Sequence, residues 1–83
     1  MILVTSAEVL HDHVIRIGFN DGSIRDVDVG PLLTGPLYQT LRDDPELFSA
    51  VYVDPPWGGA PTWPNGADLD PYVLHGDSQP GWD

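Results

Sequence analysis

The groups in this sequence that could do acid–base or metal chemistry are thirteen acidic residues and three histidines. Several carboxylates stand in close pairs: Asp26 with Asp28, Asp43 with Asp44, and Asp68 with Asp70. General acid–base catalysis needs one member of such a pair to be buried or tuned by its neighbours. Asp26 and Asp28 fall on the polar face of an alternating segment, where water is the expected neighbour. Asp68 is the best candidate for a partly buried carboxylate. Its simpler role is to accept backbone N–H bonds across the adjacent Asn65-Gly66. His11 and His13 would point to one side of an extended segment and could take zinc with Asp12 or a distant acid. A closed zinc site needs four ligands, and only His75 could add another imidazole, so no metal is expected. Cysteine and lysine are absent, and no serine sits in a recognisable nucleophile turn. Gly58-Gly59 lies between prolines with no helix or lysine following, so it is not a phosphate loop. These residues point to no catalysis and no cofactor.

The densest run of informative residues is Thr62 to Pro71, and the rest of the chain reads as a frame for it. Asn65-Gly66 is a turn signal, because both residues tolerate positive φ. Pro64 lacks an N–H, so a strand through Trp63 should end there. Asp70 before Pro71 has the form of a helix cap followed by proline at the first helical position, predicting a short helix from Pro71 to Leu74. Leu69 and Leu74 would lie within reach of Trp63. One reading is a ligand loop, with the Asn65 amide and the Asp68 and Asp70 carboxylates near an indole. The plainer reading is a turn and a capped helix.

The elements that would position this run can be taken in order. Residues 2–10 are rich in β-branched side chains and predict a first strand. Val4 and Val9 have opposite parity, which a bulge near Ser6-Ala7 would reconcile. His11-Asp12 is expected as a tight turn. Residues 13–19 alternate, with Ile15, Ile17 and Phe19 on one side. Asn20-Asp21-Gly22 is a hairpin turn, and 23–29 returns with Val27 and Val29 inward. The three segments form an antiparallel meander with one wet face. Gly30-Pro31 breaks the strand, and Leu32-Leu33 is a short apolar plug. Leu37 and Leu41 at i, i+4 suggest a brief helical face. Asp44-Pro45 repeats the cap device, starting a turn that sends Leu47, Phe48 and Val51 inward. Residues 50–54 predict a fourth strand, with Thr62-Trp63 pairing back on 51–53 as a fifth. Pro55 to Pro61 is a loop.

Composition sets the class. Eighty-three residues make one domain, expected over 1–75, with 76–83 as a frayed tail in which Trp82 could anchor. The net charge is −10, carried against only Arg16, Arg25 and Arg42. Phosphate contacts need cations, so neither nucleic acid nor an anionic membrane is an expected partner. A small basic protein is electrostatically suited, although charge of this kind also serves solubility alone. No apolar run is long enough to span a bilayer, and no signal peptide is apparent. The lack of cysteine fits a reducing cytoplasm. Trp57, Trp63, Tyr52 and Trp82 are many large aromatics for a small core. Some should reach the surface, where aromatics serve as binding anchors, and Trp57 is the foremost of these.

The pattern Phe19-x-Asp21-Gly22, Val27-Asp28-Val29, Pro31-Leu32-Leu33, Leu47-Phe48, Val53-Asp54 and Trp63-Pro64-Asn65-Gly66-Ala67-Asp68-Leu69, with Leu74 after it, resembles the bacterial family called domain of unknown function 2442. The Trp-Pro-Asn-Gly-Ala-Asp segment is its specific part. The resemblance implies a compact α+β domain, no established catalysis, and a toxin–antitoxin-like pairing with another small protein. Two departures concern the surface: a long Pro55–Pro61 loop carrying Trp57, and His75 where an aromatic is common.

The expectation is therefore an α+β fold: a small antiparallel sheet of four to five strands, beginning with a three-strand meander, with short helices on one face. The expected role is a non-enzymatic protein-binding module, antitoxin-like, that pairs its acidic surface with a small basic protein encoded nearby. The alternative is a small-ligand or metal-binding domain using the Trp63–Asp70 loop. The candidate binding residues are Trp57, Trp63, Asn65, Asp68 and Asp70.

Overall fold

The computed structural model describes residues 1–76. Three strands, β1 (Val4–His11), β2 (Val14–Phe19) and β3 (Ile24–Asp28), pair antiparallel in that order. A 3-10 turn over Gly30–Leu32 leads to helices α1 (Pro36–Asp43) and α2 (Pro45–Ser49). A separate two-stranded ribbon follows, β4 (Tyr52–Asp54) with β5 (Ala60–Thr62), and α3 (Pro71–His75) ends the series. The fold is α+β, and it opens on the expected meander. Its five strands are divided three and two. The tail, including Trp82, lies outside the described residues.

The parity conflict in β1 is resolved as alternation requires. Val4 pairs with Phe19 and Ser6 with Gly18, so Thr5 is the extra residue of a bulge. Val4, Ala7 and Val9 can then all turn toward the core, where Val4 is fully buried. A second irregularity falls between Val9 and His11. It moves the next turn to Asp12-His13, one residue beyond the expected His11-Asp12, with Asp12 at φ 45°.

Two hairpin loops share one geometry. Phe19 N–H donates to Ser23 O at 2.9 Å, and Gly22 N–H to Phe19 O at 3.0 Å. Trp63 N–H donates to Ala67 O at 2.9 Å, and Gly66 N–H to Trp63 O at 3.0 Å. Each is a three-residue loop whose glycine takes positive φ, 89° at Gly22 and 92° at Gly66. In both, an Asx side chain accepts a backbone N–H two residues on: Asp21 from Ser23, and Asn65 from Ala67.

Several side chains depart from the sequence-based expectation. Leu37 is 43% exposed, because α1 turns Leu41 and Tyr38 inward at i, i+3 instead. The fourth strand starts at Tyr52, two residues late, since Ala50 still closes α2. The fifth covers Ala60–Thr62 and contains Pro61, with Trp63 just beyond it. Pro61 is tolerated because its carbonyl, and hence its ring nitrogen, faces away from β4; that carbonyl accepts from Leu69 N–H at 3.1 Å.

The core gathers Ile15, Ile17 and Phe19 from β2, Leu41 and Phe48 from the helices, and Trp63, Leu69 and Leu74 from the C-terminal run. The two sheets meet where Val4 and Gly59 exchange both backbone bonds, at 2.7 and 2.9 Å. A Cβ on Gly59 would run into the Asp54 carbonyl, so any other residue at this junction forces the backbone to shift.

Candidate functional site

The Trp63–Asp70 run is built from the two devices its sequence announced, but its groups point in different directions. The Trp63 ring is fully buried. It stacks on Phe48 at 5.7 Å between centroids, and its indole N–H donates to Phe48 O at 2.8 Å. Asn65 is half-buried and ties its own turn to α1. Its Oδ1 accepts from Ala67 N–H, and its Nδ2 donates to Leu37 O at 3.2 Å and Thr40 Oγ1 at 3.3 Å on α1. Asp68 is exposed, and among the described residues only its backbone carbonyl is engaged by a side chain, the Tyr38 hydroxyl at 2.8 Å. The backbone N–H that Asp68 was expected to accept goes to Asn65, because an Asx side chain reaches two residues forward within its own turn. Asp70 caps α3 by accepting from Tyr72 N–H at 2.9 Å. These four side chains do not converge on one cavity. Trp63 and Asn65 tie the turn to α2 and α1, Asp70 caps α3, and the Asp68 carboxylate faces solvent.

Trp57 lies elsewhere, in the loop joining β4 to β5, and is 81% exposed. Tyr52 on β4 is 47% exposed. The loop that carries this open indole is closed by Gly58 N–H donating to Pro55 O at 3.0 Å.

On the wet sheet face Arg16 and Asp26 are paired. Arg16 on β2 donates Nε to Asp26 Oδ1 at 2.9 Å across the strands. The hydrogen bond and the charge of Arg16 hold Asp26 below the usual carboxylate range, and Asp26 raises Arg16 in turn. Asp21 is held down at about 2 by the hydroxyl and N–H of Ser23 and by His75. His75 donates Nε2–H to Asp21 at 2.9 Å and sets its ring edge-on to Phe19 at 4.8 Å. His75 thus takes the place of an aromatic while adding a polar bond.

His11 and His13 belong to no group of three or more metal-ligating side chains among the described residues. His11 is bonded to Asp12 at 3.3 Å, while His13 is half-buried and edge-on to Phe48 at 5.1 Å. Both line a cleft of about 510 Å³ together with Asp12, Arg42, Pro45 and Phe48. The two histidines were legible from their spacing. Arg42 carried no such signal, because α1 and the β1–β2 turn are brought together only by the tertiary fold.

Among the described residues no helix is long and apolar enough to cross a membrane. A family model described as "Protein of unknown function (DUF2442)" matches residues 4–77. No curated protein and no solved structure matches the chain.

Proposed function

The chain belongs to the DUF2442 family, proteins of unknown function, and from that premise we propose that it is a non-enzymatic protein-binding module, antitoxin-like in role. Its acidic surface pairs with a small basic protein encoded by an adjacent gene in a bacterium, and it works in the cytoplasm. The observation that carries this reading is Trp57, an indole 81% exposed on a chain of net charge −10. Charge of one sign steers an oppositely charged partner, and an exposed aromatic supplies the apolar anchor that slows its release. The lack of cysteine and lysine supports a role without covalent chemistry and fits a reducing compartment. The alternative, a ligand site in the Trp63–Asp70 loop, is weakened by the burial of Trp63 and the capping duty of Asp70.

The test is co-expression with the neighbouring small reading frame and purification through a tag on this chain. The expected result is a stable complex whose association slows as salt rises, because screening shortens the reach of the charges. Trp57→Ala should speed dissociation while leaving association nearly unchanged. Failure to co-purify with any small neighbour, or a complex indifferent to both salt and Trp57, would overturn the reading.

A further inference from the structure

Basic side chains are scarce in this protein, and they are unevenly placed. The chain has three arginines and three histidines, and half of these, His11, His13 and Arg42, line one cleft. Of the eleven acids among the described residues only Asp12 lines it, and Asp12 is engaged with His11. The guanidinium of Arg42 is held in place because Nη1 donates to Gly30 O at 2.8 Å. That acceptor is a carbonyl, and among the described residues no carboxylate is ion-paired with Arg42, whereas Arg16 is paired with Asp26. The other N–H groups of Arg42 have no acceptor among the described residues. Beside this head lie Pro45 and Phe48, with the His13 ring fixed edge-on to Phe48.

We propose that the cleft between the β1–β2 turn and the α1–α2 corner binds a carboxylate carried on an apolar body. Arginine's planar fork matches a carboxylate through two parallel hydrogen bonds, and the neighbouring imidazoles can donate further ones. Pro45 and Val9 cover the apolar part, over a floor closed by the buried Phe48. The volume lies within the range of roughly 300–1,000 Å³ usual for small-molecule sites. A monoanion suits the cleft better than a phosphate dianion, because the field of a net charge of −10 repels a second negative charge again, and only one permanent cation is present. The carboxylate could come from a free small molecule or from the last residue of a polypeptide. This site is separate from the Trp57 surface, and either assignment can fail alone.

The experiment is an amide NMR titration of the whole protein with 3-phenylpropionate and, in parallel, with the neutral isostere 3-phenylpropan-1-ol. The acid should produce saturable shifts confined to residues 9–13, Arg42 and Phe48, and should bind at least tenfold more tightly than the alcohol. Arg42→Gln should remove that preference. Arg42→Lys, which keeps the charge without the fork, should retain part of it. An acetylated Gly-Gly-Phe peptide with a free carboxylate is the second arm, with its C-terminal amide as control. Tighter binding of the free-acid peptide than of 3-phenylpropionate assigns the site to a chain terminus, and weaker binding assigns it to a small molecule; both support a carboxylate site. Equal binding of acid and alcohol to the native protein, shifts elsewhere, or no saturable shift would overturn it, whether or not the variants fold.

Discussion

The indole N–H of Trp63 sits where a short helix has a carbonyl to spare. The last carbonyls of a helix have no partner within it, and Phe48 O near the end of α2 accepts from Trp63 Nε1 at 2.8 Å. One side chain therefore fills the core and completes a helix terminus. Trp63→Phe keeps a ring but removes the donor and leaves a void, so a loss of about 3 kcal/mol is expected from the unsatisfied carbonyl and the lost volume. Urea unfolding measures it, and a loss below about 1 kcal/mol would mean that the carbonyl finds another partner. At this scale the sequence was legible where the decisive contact is local. The Asn65-Gly66 turn and the Asp44 and Asp70 caps were readable from residues two or three positions apart. The roles of Asn65 and Asp68 were not, because Asn65 also bonds to Leu37 and Thr40, which only the fold brings near.

Helix α3 is five residues long and has little intrinsic stability, so its place depends on what holds it. Asp70 caps its start. Arg25 on β3 donates to Leu74 O at 2.8 Å, the Tyr72 hydroxyl accepts from Ile2 N–H at 3.3 Å, and His75 bonds to Asp21 in the β2–β3 loop. The carboxylate of Asp21 titrates at about 2, below its ordinary 3.8. A lowered native pKa gives stabilisation that is present above the ordinary value and is lost as pH falls through the native one. Asp21→Asn should therefore be less stable than the parent near neutral pH, and the gap should narrow between about pH 4 and pH 2. Thermal melts across that window give the answer; a gap that persists unchanged to about pH 2 would show that the charge of Asp21 contributes nothing. The existence of α3 was readable from Asp70-Pro71. Its docking was not, since the partners Ile2, Asp21 and Arg25 stand far away in sequence. The same limit explains Leu37 and Pro61: which way a short amphipathic helix turns, and where a ribbon starts, is decided by the neighbours it meets.

Across the whole molecule the fold class and the first sheet were legible, because alternation and turn residues write a meander directly into the sequence. The separation into two sheets was not, because it rests on a single pair, Val4 with Gly59, from opposite ends of the described chain. That pair carries a consequence in time. The β2–β3 and β4–β5 hairpins close over short loops and can form within microseconds, whereas joining Val4 to Gly59 must close about two thirds of the chain. The junction should form late, after the hairpins have shortened the path between its halves. Gly22→Ala, at the β2–β3 turn, is then expected mainly to slow refolding, and Gly59→Ala mainly to speed unfolding. Stopped-flow kinetics of both variants would reveal the order, and a Gly59→Ala protein that refolds as slowly as its loss of stability demands would place the junction in the transition state instead. The residue without a side chain would then set how long the folded molecule lasts, while the meander sets how quickly it arrives.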